Sequence, residues 1–76
     1  MNTDKIIGQA TLEFAEYGPQ EYEVLDFDEA RANAMRDEGL DPDEHVLLRT
    51  TIEGNTGYLI TKRDDPKISK LEIQQQ

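Results

Sequence analysis

From His45 to Glu53 the chain alternates without a fault. Val46, Leu48, Thr50 and Ile52 fall on one side; Leu47, Arg49, Thr51 and Glu53 fall on the other. A period of two is the signature of a strand with one buried face. Gly54-Asn55-Thr56-Gly57 follows at once, with residues that tolerate positive φ, and the run from Tyr58 to Arg63 returns. A hairpin is therefore expected here. A single hairpin is marginal in water, so the rest of the chain must supply neighbours for it.

Two more stretches fit that role. Residues 6–14 alternate, with Ile6, Gly8, Ala10, Leu12 and Phe14 against Gln9, Thr11 and Glu13. A helix also fits there, with Ile7, Ala10, Phe14 and Tyr17 at helical spacing, but Gly8 and two β-branched isoleucines weaken it. Tyr17-Gly18-Pro19-Gln20 reads as a turn. In Glu21-Tyr22-Glu23-Val24-Leu25, Tyr22 and Val24 point inward, Leu25 outward. Asp64-Asp65-Pro66 stops the return strand of the second hairpin. Lys67 to Ile73 adds a last strand, with Ser69, Leu71 and Ile73 on one face.

Between the hairpins lies the expected helix. Asp26 with Glu29 has capping-box spacing, and Asp28 and Glu29 suit the positive end of the helix dipole. Phe27, Ala30 and Ala34 form the buried stripe, with Met35 on its flank. Gly39 stands at the C-cap and lets Leu40 fold back. Asp41-Pro42-Asp43-Glu44 reads as a rigid acidic loop, and His45 opens the next strand at the surface. The order is ββαβββ. The expected fold class is α+β: an antiparallel sheet with one helix packed on a face, in a single domain over residues 1–76 with a frayed tail at 74–76.

Size limits what such a domain can enclose. The chain has 76 residues and no cysteine, so neither a disulfide nor a thiol nucleophile is available. The apolar runs Val46-Leu47-Leu48 and Tyr58-Leu59-Ile60 are too short to span a bilayer, and the polar start Met1–Lys5 reads as no leader, which points to the cytoplasm. Asp41-x-Asp43-x-His45 hints at a metal, but a calcium loop needs Gly and Glu where Val46 and Ile52 stand, and a transition-metal site lacks a second histidine. Ser69 has no elbow around it. The expectation is no enzyme, no cofactor, no metal site and no catalytic residue.

Charge discriminates further. There are 17 acids against 8 bases, for a net charge of −9. Residues 1–44 hold 13 acids and 3 bases, a surplus of −10; residues 45–76 hold 4 acids and 5 bases, a surplus of +1. Free nucleic acid and anionic membranes are poor partners for such a chain. A basic protein or nucleoprotein complex is a good one, met as monomer or homodimer. The candidate contact residues are Glu21, Glu23, Asp26, Asp28, Glu29, Asp37, Glu38, Asp41, Asp43 and Glu44. Carboxylates offer Arg and Lys the same bidentate geometry as phosphates. The same excess of acid also serves solubility or adaptation to salt, without any partner. A structural alternative is an accessory subunit that assembles through a sheet edge or through outward Leu25, Leu47 and Tyr58-Leu59-Ile60.

One layout-level likeness bears on the choice. The passage Tyr22-Glu23-Val24, then Asp26-x-x-Glu29-Ala30-x-x-x-Ala34, follows a hairpin and opens a single helix before a second hairpin. Over residues 6–63, in size, acidity and layout, the chain resembles small phage-encoded inhibitors of bacterial defence, especially anti-CRISPR proteins. The resemblance implies a stoichiometric inhibitor, a nucleic-acid mimic that blocks a basic groove in the host cytoplasm.

Overall fold

A computed structural model of the chain describes residues 5–74. The elements run β1 (Ile6–Phe14), β2 (Gly18–Leu25), α1 (Glu29–Asp37), a 3-10 turn (Pro42–Glu44), β3 (His45–Ile52), β4 (Asn55–Lys62) and β5 (Ile68–Ile73). All neighbouring strands are antiparallel, in the order β4-β3-β2-β1-β5. The fold is thus α+β in the order ββαβββ, and residues 6–14 form a strand, not a helix. Residues 75 and 76 of the expected tail, and residues 1–4 of the polar start, lie outside the described residues.

The alternation of the sequence explains the core. Ala10, Leu12, Val24, Val46 and Leu48 form one buried cluster. Cross-strand register puts them on one face: Val24 pairs with Leu48, Gly8 with Val24, and Leu48 with Leu59. Leu59 from one edge strand and Ile68, Leu71 and Ile73 from the other pack on the same cluster. The domain measures 33 × 28 × 26 Å, too even for a flat sheet. The twist of the strands coils the sheet around its own apolar face, and each fully buried Leu or Val contributes roughly 1.5–3 kcal/mol.

The other face departs from expectation. Leu25 and Leu47, read as outward, pair with each other across β2 and β3 and are 1% and 4% exposed. They are buried on the helix side of the sheet, where Leu47 and Met35 line one groove. Both faces of β3 are therefore apolar near its start, which simple alternation does not reveal. Leu25 and Leu47 no longer supply an outward apolar surface.

The helix starts later than its spacing suggests. Asp26 N–H donates to the Lys5 carbonyl at 2.9 Å and so continues the strand. Asp28 is the N-cap, accepting from Arg31 N–H at 2.7 Å. With the start moved to Glu29, Ala30 and Ala34 turn to solvent, and Met35, with part of Arg31 and Ala32, faces inward. The C-terminus ends as expected: Gly39 N–H donates to Arg36 O at 3.0 Å and Leu40 N–H to Met35 O at 2.9 Å, closing the paired bonds of a Schellman motif.

Three local differences have local causes. The second hairpin turns at Glu53-Gly54, both with positive φ (52° and 81°), and Asn55 already pairs with Ile52. This two-residue turn matches the strand twist, and it sets Leu59 against Leu48 in the core. A register shift between Thr11 and Leu12 pairs Ile68 with Leu12, so Ser69 bulges outward and bonds the Thr11 carbonyl at 3.2 Å. A second shift, between Ile6 and Gly8, leaves Ile6 exposed and Ile7 partly buried. Gly8 itself is required by a close approach, since a Cβ there would overlap the Glu72 carbonyl of β5.

Candidate acidic interface

The ten acids divide by what holds them. Two are structural. Asp28 caps α1. Asp41 caps the 3-10 turn, its carboxylate accepting from Asp43 N–H at 2.9 Å. The Asp41 carbonyl also accepts from Nδ1 of His45 at 2.7 Å. That bond and its 7% exposure make His45 a buried tie between turn and strand, correcting the expected surface position. Pro42 is buried beside it, which fixes the turn against β3.

Glu21 and Glu23 share a strand face, about 7 Å apart by strand geometry. They do not stand in a purely acidic field. Both line a polar groove of about 290 Å³ with Gln9, Thr11, Arg49 and Lys70. Glu23 Oε1 accepts from Arg49 Nη2 at 2.9 Å and from Nε at 3.1 Å. This bond, foremost, holds the Arg49 guanidinium more firmly protonated than usual. The pair could have been found by superposing the two alternations, because Val24 and Leu48 both point inward and Glu23 and Arg49 then share the opposite face.

The remaining acids lie on the outside of the β2–α1–turn run. Asp26, Glu29, Asp37, Glu38, Asp43 and Glu44 are all exposed. Asp26 and Asp43 border a depression of about 240 Å³ that also takes in Arg36 and Arg63. Asp26 is not helical, so it does not form a ridge with Glu29 along one helix face. Glu29 occupies the first helical position, where the dipole favours it. Asp37 and Glu38 occupy the last position and the C-cap, where the dipole opposes negative charge. The sequence contained that signal, since Gly39 already marked the helix end.

Beyond the ten, Asp65 is also held in place. It accepts from the Thr61 hydroxyl and, at 2.9 Å, from Lys67 N–H. These bonds, the Thr61 one first, lower its pKa below the ordinary carboxylate value. Among the described residues, no helix is long and apolar enough to cross a membrane. No protein-family model, curated protein or solved structure matches the chain.

Proposed function

We propose that the protein is a small acidic binding module. It occupies a basic, nucleic-acid-binding groove of a partner protein or nucleoprotein complex in the cytoplasm, in the manner of the anti-CRISPR inhibitors its layout resembles. Its action is steric and stoichiometric. The observation that carries this reading is the placement of Asp37 and Glu38. Acids at a helix C-terminus cost about 0.3–1 kcal/mol each. A surface serving only solubility gains nothing from that position, whereas a contact surface does. Glu44, Asp43 and Glu29 extend the same exposed run, and carboxylates there would meet Arg and Lys as a phosphate backbone does.

The fold dictates which residues to reverse. Asp28 and Asp41 are caps and Glu23 is engaged with Arg49, so these stay. Asp37→Lys, Glu38→Lys, Asp43→Lys and Glu44→Lys together reverse exposed charge without removing a side-chain cap, because Glu38 caps through its backbone N–H alone. The immobilised chain is exposed to host lysate at about 0.1 M and about 1 M salt, where the Debye length falls from about 10 Å to about 3 Å. The expected result is a partner retained at low salt, released at high salt, displaced by added duplex DNA and lost with the fourfold variant. Retention by the fourfold variant, or at high salt, would overturn the reading. The first two reversals should also raise the melting temperature, because they relieve the helix dipole.

A further inference from the structure

The two edges of the sheet are built differently. β5 carries several features that discourage an added strand. Pro66 precedes it, Ser69 forms a bulge, and Lys70 and Glu72 line it with their charges 3.3 Å apart. β4 has neither proline nor bulge, and its one charge, Lys62, stands at its last position. From Asn55 to Thr61 it contains no charge and no proline, and its register against β3 is unbroken from Ile52↔Asn55 to His45↔Lys62.

The turn sets the phase of this ladder. Closure at Glu53-Gly54 makes Ile52 and Asn55 a hydrogen-bonded pair. Arg63 N–H, donating to Glu44 O at 3.0 Å, keeps the same phase at the far end. Asn55, Gly57, Leu59 and Thr61 therefore aim their backbone groups at β3, and Thr56 and Ile60 aim theirs at the open edge. Beside that edge the surface is apolar. Tyr58 is 55% exposed and Ile60 45%. They line a groove of about 350 Å³ with Met35, Leu40 and Leu47.

We propose that β4 is a self-association edge, on which a second copy of this chain lays its own β4 antiparallel. The union is two-fold symmetric and closed, and it joins the two five-strand sheets into one. Charge selects a second copy as the occupant. Two chains of −9 repel through the −10 carried by residues 1–44, but β3 to β5 belong to the half with a surplus of +1. At the groove rim Arg31 and Glu38 cancel. Meeting at β4, two copies bring together largely apolar surfaces whose two opposite charges, Arg31 and Glu38, leave no net charge at the groove. The dimer contact is centred on β4, and of the proposed partner acids only Glu38 borders its groove.

Sedimentation equilibrium of the full chain from about 1 μM to about 1 mM tests this, a range that spans weak dimers. The wild type should pass from monomer to twice the monomer mass. Ile60→Lys places a charge on the edge and should stay monomeric throughout with an unchanged far-UV spectrum. Should that variant fail to fold, Thr56→Pro replaces it, because its lost N–H faces away from β3. Ser69→Lys on the opposite edge should dimerise like wild type. The threefold reversal Asp37→Lys, Asp43→Lys and Glu44→Lys, which keeps Glu38 at the groove rim, should dimerise at least as well as wild type, so failure of the partner reading leaves this test intact. A wild type that remains monomeric, a dimer that survives in the folded β4 variant, or one lost in Ser69→Lys would overturn the proposal.

Discussion

Arg49 of β3 reaches across the sheet to Glu23 of β2, placing Nη2 2.9 Å and Nε 3.1 Å from one carboxylate oxygen. The contact joins the acidic part of the chain to the near-neutral part. It also takes Glu23 out of the pool of carboxylates available to a partner. Glu23→Lys should therefore weaken partner binding less than Glu38→Lys does, while lowering the melting temperature. Because the pair is partly solvated, that loss should narrow as salt is raised. Thermal scans at two salt concentrations, with parallel binding measurements, check both outcomes.

The approach of β5 to β1 depends on a missing side chain. A Cβ at Gly8 would overlap the Glu72 carbonyl and crowd Ile73 Cα at 2.9 Å. Both obstacles are backbone, so neither can swing aside. Gly8→Ala should destabilise the domain by about 1–3 kcal/mol, as overpacking does. The loss should be concentrated at the β1–β5 ladder. Amide exchange reads it directly: Gln74 N–H, which donates to Ile7 O at 2.7 Å, and the β5 amides should lose protection before those of β3.

Period-two alternation made the strands and their order legible. The inward residues Leu12, Val24, Val46 and Leu48 are core residues, and the α+β arrangement follows from them. What alternation cannot express is a strand with two buried faces. Leu47 and Leu25 looked outward because the opposite face was taken as solvent, but the groove under α1 occupies it. Ser69 was misplaced for a different reason: a bulge changes parity within a strand, and nothing in Lys67–Ile73 signals one. Helix capping was ambiguous because Asp26, Asp28 and Glu29 all have capping chemistry. The Arg31 N–H bond to Asp28 and the Asp26 bond to Lys5, a contact distant in sequence, decide among them. For the candidate interface, the sequence supplied the acids, and the fold separated the caps and the Arg49 pair from the exposed remainder.

Glu53 is an unfavourable choice for its position. It adopts φ 52° as the first residue of a two-residue turn, with Gly54 at 81°. A left-handed conformation costs an ordinary side chain about 1–2 kcal/mol, and Asn tolerates it better. Glu53→Asn should stabilise the domain by several tenths to about 1 kcal/mol, raising the melting temperature by up to about 8 °C. It also removes one negative charge at the tip of β3 and β4. Glu53→Gln, which removes the charge without relieving the turn, should leave most of the gain unrealised.

Asp65 ties the end of β4 to the start of β5, accepting from the Thr61 hydroxyl and from Lys67 N–H. Its folded pKa is lowered, chiefly by the Thr61 bond. A depressed carboxylate stabilises the fold above its unfolded pKa, about 3.9, and that contribution fades as pH falls through the folded value. At pH 7 the wild type should therefore be more stable than Asp65→Asn, and the difference should persist down to about pH 4 and shrink below it. Thr61→Val should lower stability at neutral pH and move the onset of acid destabilisation upward, because it removes the bond that depresses Asp65 most. Urea midpoints for the three proteins at neutral and acidic pH check the sign. A gap between wild type and Asp65→Asn that widens as the pH falls would contradict it.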